Sequence, residues 1–185
     1  MPLPDRPDLR TSRLILRPLR EADAPALFEI FSDASVMRYW STSPWTAIDQ
    51  AQASIASDLE TMAADNHLRL GIELAADGAL VGTCTLFGIN RTSRRAELGY
   101  ALRSSAWGRG YMDEALRALL DCGFTELDLN RVEADIDPRN TASARTLERL
   151  GFVREGHLRE RWIVAGEVSD SALYGLLRRD WMATK

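Results

Sequence analysis

Two glycines lie at the point where a predicted strand gives way to a predicted helix. The strand is expected at Glu97–Leu102, and Gly108 and Gly110 precede a helix that is expected to run to about Leu127. The first N–H groups of a helix have no partner within it, and they carry the positive end of the helix dipole. Because glycine has no side chain, an anion can approach such groups closely. The spacing predicts a phosphate site, although a tight turn that binds nothing has the same pattern.

The two usual nucleotide-binding fingerprints do not describe this loop. The dinucleotide pattern needs a third glycine, and Asp113 occupies the position where it would fall. The P-loop pattern, GxxxxGK followed by serine or threonine, occurs nowhere in the chain. If the loop binds phosphate, it therefore belongs to another class of site.

Three segments of the chain carry a family resemblance. Glu97-Leu-Gly-Tyr-Ala-Leu102 followed by Trp107-Gly-Arg-Gly-Tyr-Met112 resembles the acetyl-coenzyme A motif of the GCN5-related N-acetyltransferases (GNAT), and more narrowly that of their RimJ/RimL-type branch. Thr11–Arg20, with Glu21–Asp23 after it, is similar to the opening strand and first helix of that branch. Asn140–Phe152, which ends in Leu-Gly-Phe, resembles its second cofactor motif. The three matches occur in the expected order and span most of the chain.

The resemblance implies that acetyl-CoA is the cofactor and that its acetyl group passes directly to an amine. Backbone N–H groups of the loop would hold the pyrophosphate, and the backbone of Leu98 and Tyr100 would pair with the pantetheine arm and polarise the acetyl carbonyl. The general family pattern has other residues where this chain has Trp107 and Met112, but backbone donors do not depend on the side chain. The cofactor-binding residues expected from the resemblance are Leu98, Tyr100, Leu102, Trp107, Gly108, Arg109, Gly110, Tyr111, Met112, Asn140 and Ser143.

The second motif supplies a candidate acid for the leaving thiolate. Many family members carry a tyrosine for this role where this chain has Leu147, and Ser143 lies one helical turn earlier on the same face. A serine at this point resembles what RimJ/RimL-type enzymes use, although it could equally be an ordinary serine of a first helical turn. Asn140 matches the asparagine that touches the cofactor arm, and it is also a candidate N-cap.

Glu97 is the first candidate for the general base. It begins the strand at which the amine should arrive, and a carboxylate there could take a proton directly or through water. The alternative is a surface salt bridge to Arg95 or Arg131. Glu133 and Glu73 are lesser candidates, and activation of the amine by water and backbone alone is a further alternative.

The acceptor is expected to be a primary amine, either of a protein N-terminus or of a small molecule. The predicted substrate contacts are Tyr39 and Trp40 in an aromatic loop, Glu97, and Trp162 near the end of the chain. The alternative is that these aromatic side chains only cover the edges of the core. A non-catalytic sensor that binds acyl-CoA, and transfer of an acyl chain longer than acetyl, remain open. Family habit and five tryptophans also suggest a homodimer.

Composition limits the other classes of function. The 185 residues are 45% hydrophobic and 27% charged, as in globular proteins, and the net charge of -4 argues against broad nucleic-acid or membrane binding. Cys84 and Cys122 lie in apolar runs and are expected to be buried, reduced thiols. His67 and His157 lack metal-ligand spacing, so no metal is expected. The proline-rich, charged start does not resemble a signal peptide, and a cytoplasmic location is predicted.

Hydrophobic periodicity predicts one α/β domain over residues 1–185, with helices on both faces of a mixed sheet of about seven strands. The resemblance implies that this sheet is mostly antiparallel and splayed. Thr46 and Asp33 are expected to cap helices at their N-termini, and Gly151 to end one. The strands are expected at 12–18, 67–75, 80–89, 97–102, 131–137, 152–164 and 168–177, and the helices at 23–31, up to 37, 47–64, 110–127 and 141–150.

Overall fold

The computed structural model describes residues 8–64 and 66–183. The strands are β1 (Leu9–Arg10), β2 (Leu14–Pro18), β3 (Leu68–Leu74), β4 (Leu80–Asn90), β5 (Arg95–Leu102), β6 (Arg131–Ile136), β7 (Val153–Val164) and β8 (Glu167–Leu177). The helices are α1 (Ala24–Ser32), α2 (Ala34–Met37), α3 (Asp49–Ala63), α4 (Tyr111–Thr125), α5 (Thr141–Arg149) and α6 (Arg178–Met182). No helix in the described ranges is long and apolar enough to span a membrane.

The strands form one sheet in the order β1-β2-β3-β4-β5-β6-β8-β7. Of the strand pairs in the described chain, only β5 and β6 are parallel, and their pairing ends at Glu97 and Glu133 after three residues. Beyond Glu97, β5 continues to Leu102 while paired with β4 alone. The sheet therefore opens between β5 and β6, which confirms the predicted mixed and splayed sheet.

Helices cover both faces of the sheet. Successive side chains of a strand point to opposite faces. Leu98 of β5 belongs to a core that includes Leu116 of α4 and Leu147 of α5. Ala101 of the same strand belongs to a second core, which includes Leu27 of α1. Burial of each such leucine contributes about 1.5–3 kcal/mol, so the two cores fix the helices on either side of β5.

The predicted helices and strands are confirmed, with boundaries that differ by a few residues. β1 was missed because two residues are too few to show alternation. The five-residue α6 was missed because it follows β8 directly, without an intervening turn signal. Trp181 anchors α6 by donating a hydrogen bond from Nε1 to Oδ1 of Asp121 at 2.8 Å.

The helix caps show which local signals were sufficient. Asp33 accepts a hydrogen bond from the N–H of Ser35 at 2.8 Å, as predicted. The prediction for Thr46 was wrong, since α3 begins at Asp49 and its N-terminus has no side-chain cap. Instead, Oε1 of Gln50 reaches back to the N–H of Thr46 at 2.7 Å. The glutamine in the first turn thus takes the place of the expected threonine cap.

A buried ion network ties β2 to β3 and to the start of α1. Arg17, which is 5% exposed, donates hydrogen bonds from both terminal nitrogens to Asp23, at 2.7 and 2.9 Å. Its Nε donates to Glu73 at 2.6 Å. Burial alone would raise the pKa of Asp23, but hydrogen bonds from Arg17 and Arg20 hold that pKa below its usual value. Glu73, a lesser candidate for the base, is therefore engaged in a structural ion pair.

Candidate active site

The loop between β5 and α4 turns sharply at its two glycines. Gly108 and Gly110 both lie in the left-handed region, with φ of 74° and 77°. This region strains other residues, which explains why glycine stands at both positions. Trp107 is half exposed, and its Nε1 donates a hydrogen bond to the carbonyl of Leu102 at 2.8 Å. That bond fixes the start of the loop to the end of β5.

The loop presents a row of backbone donors to open space. No carbonyl of the described chain accepts a hydrogen bond from the N–H groups of residues 108–113, and the first bond of α4 runs from the N–H of Glu114 to Gly110. A Cβ atom placed on Gly108 would meet nothing within 4 Å. Unpaired N–H groups at the positive end of a fifteen-residue helix fit a pyrophosphate.

An ion pair between Arg13 and Glu114, which the sequence analysis missed, stabilises this loop. Arg13 lies in the turn between β1 and β2. Arg13 donates a hydrogen bond to the carbonyl of Arg109 at 2.9 Å and lies over the ring of Tyr111. It also pairs with Glu114 in the first turn of α4, at 2.6 Å. Burial would raise the pKa of Glu114, but hydrogen bonds from Thr11 and Arg13 lower that pKa to about 2. No local signal links Arg13 to Glu114, because 101 positions separate them.

Tyr100 joins the two cofactor motifs, and Asn140 orders the second one. The hydroxyl of Tyr100 donates to the backbone carbonyl of Ser143 at 3.4 Å, and burial raises the pKa of this tyrosine to about 12. Asn140 caps α5 by accepting a hydrogen bond from the N–H of Ser143 at 3.1 Å. The structure thus places Leu98, Tyr100, Asn140 and Ser143 around the opening between β5 and α5.

Ser143 and Leu147 lie on α5 but differ in their surroundings. Leu147 is fully buried in the core, so the position that carries a tyrosine in many relatives is used here for packing. Ser143 is half-buried, and its hydroxyl has no hydrogen-bond partner within the described residues. The serine hydroxyl is therefore free to act on a bound group.

Glu97 is the unpaired carboxylate among the three candidates for the base. The expected alternative, an ion pair with Arg95 or Arg131, does not form; both arginines bind Glu133 instead, each at 2.7 Å. Glu73 belongs to the buried network of Arg17. In the described chain Glu97 has no ion pair, and it is half-buried where the parallel pairing of β5 ends.

A cleft of about 260 Å³ lies on the opposite face of β5 from α4 and α5. Its floor follows one row across the sheet, in which Arg69 of β3 pairs with Thr85 of β4 and Thr85 pairs with Gly99 of β5. Glu97 lies two pairs further along β5, opposite Phe87 and on the same face as Gly99. The lining residues are Phe31, Trp40, Thr42, Trp45, His67, Arg69, Thr83, Thr85, Phe87, Gly99 and Tyr100.

The predicted substrate residues do not all reach this cleft. Trp40 lines it, and its ring packs edge-on against Phe31 at 5.2 Å. Tyr39 lines a neighbouring cleft of about 180 Å³ and lies under the guanidinium of Arg139. Trp162 lies on β7, where its Nε1 donates to the hydroxyl of Ser171 at 3.1 Å, and it lines neither cleft.

The two cysteines are buried and free, as predicted. Burial raises the pKa of the Cys84 thiol to about 12, so this side chain stays protonated and unreactive near neutral pH. Neither the burial nor the protonation of Cys84 favours a nucleophilic role for this thiol.

Comparison with known proteins identifies the class. A family model described as an acetyltransferase (GNAT) domain matches residues 13–153. The "Uncharacterized N-acetyltransferase p20" of Bacillus licheniformis is 37% identical over 173 residues, with 94% of this chain and 97% of the relative covered. The "Putative ribosomal N-acetyltransferase YdaF" of Bacillus subtilis is 33% identical over 177 residues, with coverage of 93% and 95%. The structure of the Vibrio cholerae spermidine N-acetyltransferase in complex with CoA and spermine is similar with a TM-score of 0.83 at 25% identity, with coverage of 93% and 99%.

The chain therefore belongs to the GNAT acetyltransferase family. It is an acyltransferase that depends on acetyl-CoA and acetylates an amine. The loop of unpaired amides, the splay and the cleft are the features of this chain that fit such a reaction.

We expect Glu114→Gln to lower the free energy of unfolding by about 2 kcal/mol at neutral pH, because hydrogen bonds to charged groups contribute about 1.5–3 kcal/mol. The pKa of Glu114 is lowered from 4.5 to about 2, so its contribution is complete above pH 4.5 and is lost as the pH falls toward 2. Urea unfolding at neutral and at acidic pH measures both effects.

Asp113→Asn is the matched control in the same helical turn. Asp113 forms a surface pair with Arg117 one turn along α4, at 2.9 Å, and removal of such a pair costs less than about 1 kcal/mol. Equal losses of stability in the two variants would show that the Arg13–Glu114 pair has no special role.

Proposed function

We propose that this enzyme transfers an acetyl group to a primary amine with Glu97 as the general base and Ser143 as the proton donor to the leaving thiolate. One observation carries the proposal. The splay begins directly after Glu97, the loop of unpaired amides follows the end of the same strand, and the cleft is lined by Gly99 and Tyr100 of that strand. Cofactor and acceptor would thus approach the same stretch of strand from opposite sides.

The chain offers a place for each part of the cofactor. Bound acetyl-CoA supplies the thioester whose acetyl group is transferred. The N–H groups of residues 108–112 would hold its pyrophosphate, with Arg109 and Tyr111 at the helix start. Leu98, Tyr100 and Leu102 belong to the stretch of β5 that has no partner on the β6 side, so their backbone can bind the pantetheine arm and the acetyl carbonyl. Trp107, Met112 and Asn140 complete the proposed cofactor set.

The two proton transfers balance the reaction. Glu97 takes the proton that the amine loses as the C–N bond forms, and later releases it to water. Backbone donors of β5 stabilise the negative charge that develops on the carbonyl oxygen. Ser143 gives its hydroxyl proton to the sulfur as the C–S bond breaks, and regains one from solvent. The products are an acetylated amine and the thiol form of the cofactor.

The acceptor class is the open part of the proposal. The motifs resemble the RimJ/RimL-type branch, and one relative is named as a ribosomal N-acetyltransferase, which favours a protein α-amine. Another structure of the same fold is that of a spermidine N-acetyltransferase, which favours a small amine. Trp40 is proposed to contact the acceptor in the cleft, whereas Tyr39 and Trp162, which do not line it, would contact only the part of a larger acceptor that extends beyond it. A single domain over residues 1–185 and a cytoplasmic location stay predictions.

Gly108→Glu should weaken binding of acetyl-CoA at least about a hundredfold, because a like charge set against a bound anion costs several kcal/mol. Gly78→Glu is the matched control, since Gly78 has φ of 75° and equally open surroundings in the β3–β4 turn. It carries the same backbone strain far from the loop. Isothermal titration with acetyl-CoA, CoA and ATP measures the affinities, and equal losses in both variants would remove the loop from the cofactor site.

Glu97→Gln should lower kcat by about 10²–10⁴-fold, the usual contribution of a general base, and Ser143→Ala by about tenfold or more. Neither variant should weaken acetyl-CoA binding more than a few-fold, because the loop donors remain. Steady-state assays with a screened amine, combined with titration of acetyl-CoA, separate the two effects.

Glu133→Gln is the control for Glu97→Gln, because Glu133 is the residue of β6 that pairs with Glu97 in the sheet. Equal loss of kcat in Glu97→Gln and Glu133→Gln would argue against a special role for Glu97, and unchanged kcat in Ser143→Ala would remove the serine from the reaction. Binding of acetyl-CoA without turnover of any amine would favour the non-catalytic sensor.

We also infer a homodimer that forms through the edge strand β7. This strand is twelve residues long, pairs with β8 on one side only, and exposes Val153 and Ile163 by 60% and 72%. A long edge strand that exposes apolar side chains at both ends can pair with a second copy. Light scattering at micromolar concentration should give the dimer mass, and Ile163→Lys should shift it toward the monomer. A monomeric mass for the wild type would refute the dimer.

A further inference from the structure

Arg69 is a buried cation at the floor of the acceptor cleft. Its side chain is 11% exposed, and it lies in the row that runs through Thr85 to Gly99. Neighbouring strands are about 4.8 Å apart, so the Arg69 backbone lies roughly 10 Å from the strand at which acetyl transfer is proposed. A guanidinium at this place can contact the far end of an acceptor whose amine has reached β5.

Most of the donors of this guanidinium are unused. Nη1 donates to Oδ2 of Asp58 at 3.0 Å and to the hydroxyl of Ser54 at 2.8 Å. Within residues 8–64 and 66–183, Nε and Nη2 donate to no other group, while the guanidinium lies over the ring of Phe31. Burial lowers the pKa of Arg69 despite its contact with Asp58. Within the described residues Asp58 is thus the one carboxylate that pairs with this guanidinium, and three of its five N–H donors stay available.

None of the described residues that line the cleft carries a carboxylate that could complete the compensation. Asp58 lies on α3 behind the arginine and is shared with His67, whose Nε2 is 3.2 Å away. The walls are aromatic or hydroxyl-bearing, and no Asp or Glu is among the lining residues. A guanidinium has a planar fork of donors that matches a carboxylate in geometry and charge. A second cation placed beside it would be repelled and would lose its hydration.

We propose that the acceptor is an amine that also bears a carboxylate, and that Arg69 binds this carboxylate while the aromatic walls hold the apolar part between the two groups. The inference rests on the proposed acetyl transfer and names the substrate class for it. A preference for a carboxylate would distinguish this chain from a polyamine acetyltransferase, whose substrates carry positive charge at both ends.

Three linear acceptors of similar length test the proposal. Aminopentanoate carries a carboxylate at its far end, pentylamine carries a methyl group, and cadaverine carries a second ammonium. The wild type should show a kcat/KM for aminopentanoate at least about tenfold above that for pentylamine, and cadaverine should be the poorest acceptor. A preference for pentylamine or cadaverine would overturn the proposal.

Arg69→Met should lower kcat/KM for aminopentanoate at least tenfold through KM, and leave pentylamine within about twofold. Arg69→Lys keeps a charge beside Asp58 but loses the fork, so it tests the same contact if the Met variant does not fold. Arg178→Met removes an arginine that pairs with Asp128 outside the cleft and should alter no preference. An equal loss for all three acceptors in both Arg69 variants would show a structural role and refute the proposal.

Failure of the proposed function gives a different result. If acetyl-CoA binds but no amine is acetylated, calorimetry of aminopentanoate against pentylamine on the CoA-loaded protein still tests the cleft. Binding of aminopentanoate that is tighter than that of pentylamine, and that weakens in Arg69→Met, would support the carboxylate site without turnover. Equal binding of the two compounds would overturn it.

Discussion

The short parallel pairing of β5 with β6 is the constraint on which the site depends. It lasts for three residues and ends at Glu97, after which β5 continues with a partner on one side only. The backbone groups of β5 beyond Glu97 face a gap. The helix α5 borders this gap, since the hydroxyl of Tyr100 on β5 donates a hydrogen bond to the backbone carbonyl of Ser143 on α5. A longer pairing would satisfy those groups within the sheet and close the gap. The same pairing places Glu97 at the edge of the opening, so one feature sets both the cofactor groove and the position of the proposed base.

Features that depend on a few consecutive residues could be predicted from the sequence. Gly108 and Gly110 form the expected turn before α4, and Asp33 and Asn140 cap helices within three residues of themselves. Thr46 shows the limit of this approach. Two side chains could satisfy the same helix end, and the choice of Gln50 depends on where α3 begins. The start of a helix is among the features that local residue preferences locate least well.

Features that join distant positions could not be predicted. Arg13 and Glu114, or Arg69 and the row that leads to Gly99, come together only once strand order and register exist. The charges of the sheet show the same limit. Arg95 and Arg131 were equally plausible partners for Glu97, but the register gives both to Glu133 and leaves Glu97 unpaired. The sequence thus shows which residues are candidates for the site, while the fold determines which of them stay free of ion pairs.

The contact between Arg13 and Glu114 also bears on the order in which the molecule assembles. Closing a loop of this length has a large entropic cost, and contacts at such separation are typically made late in folding. During synthesis, the segment that holds Arg13 emerges long before the first turn of α4, so its partner does not yet exist. The loop of unpaired amides therefore gains its support only after Glu114 has been made. Competence to bind the cofactor would then depend on docking of an early segment against a helix that is made much later.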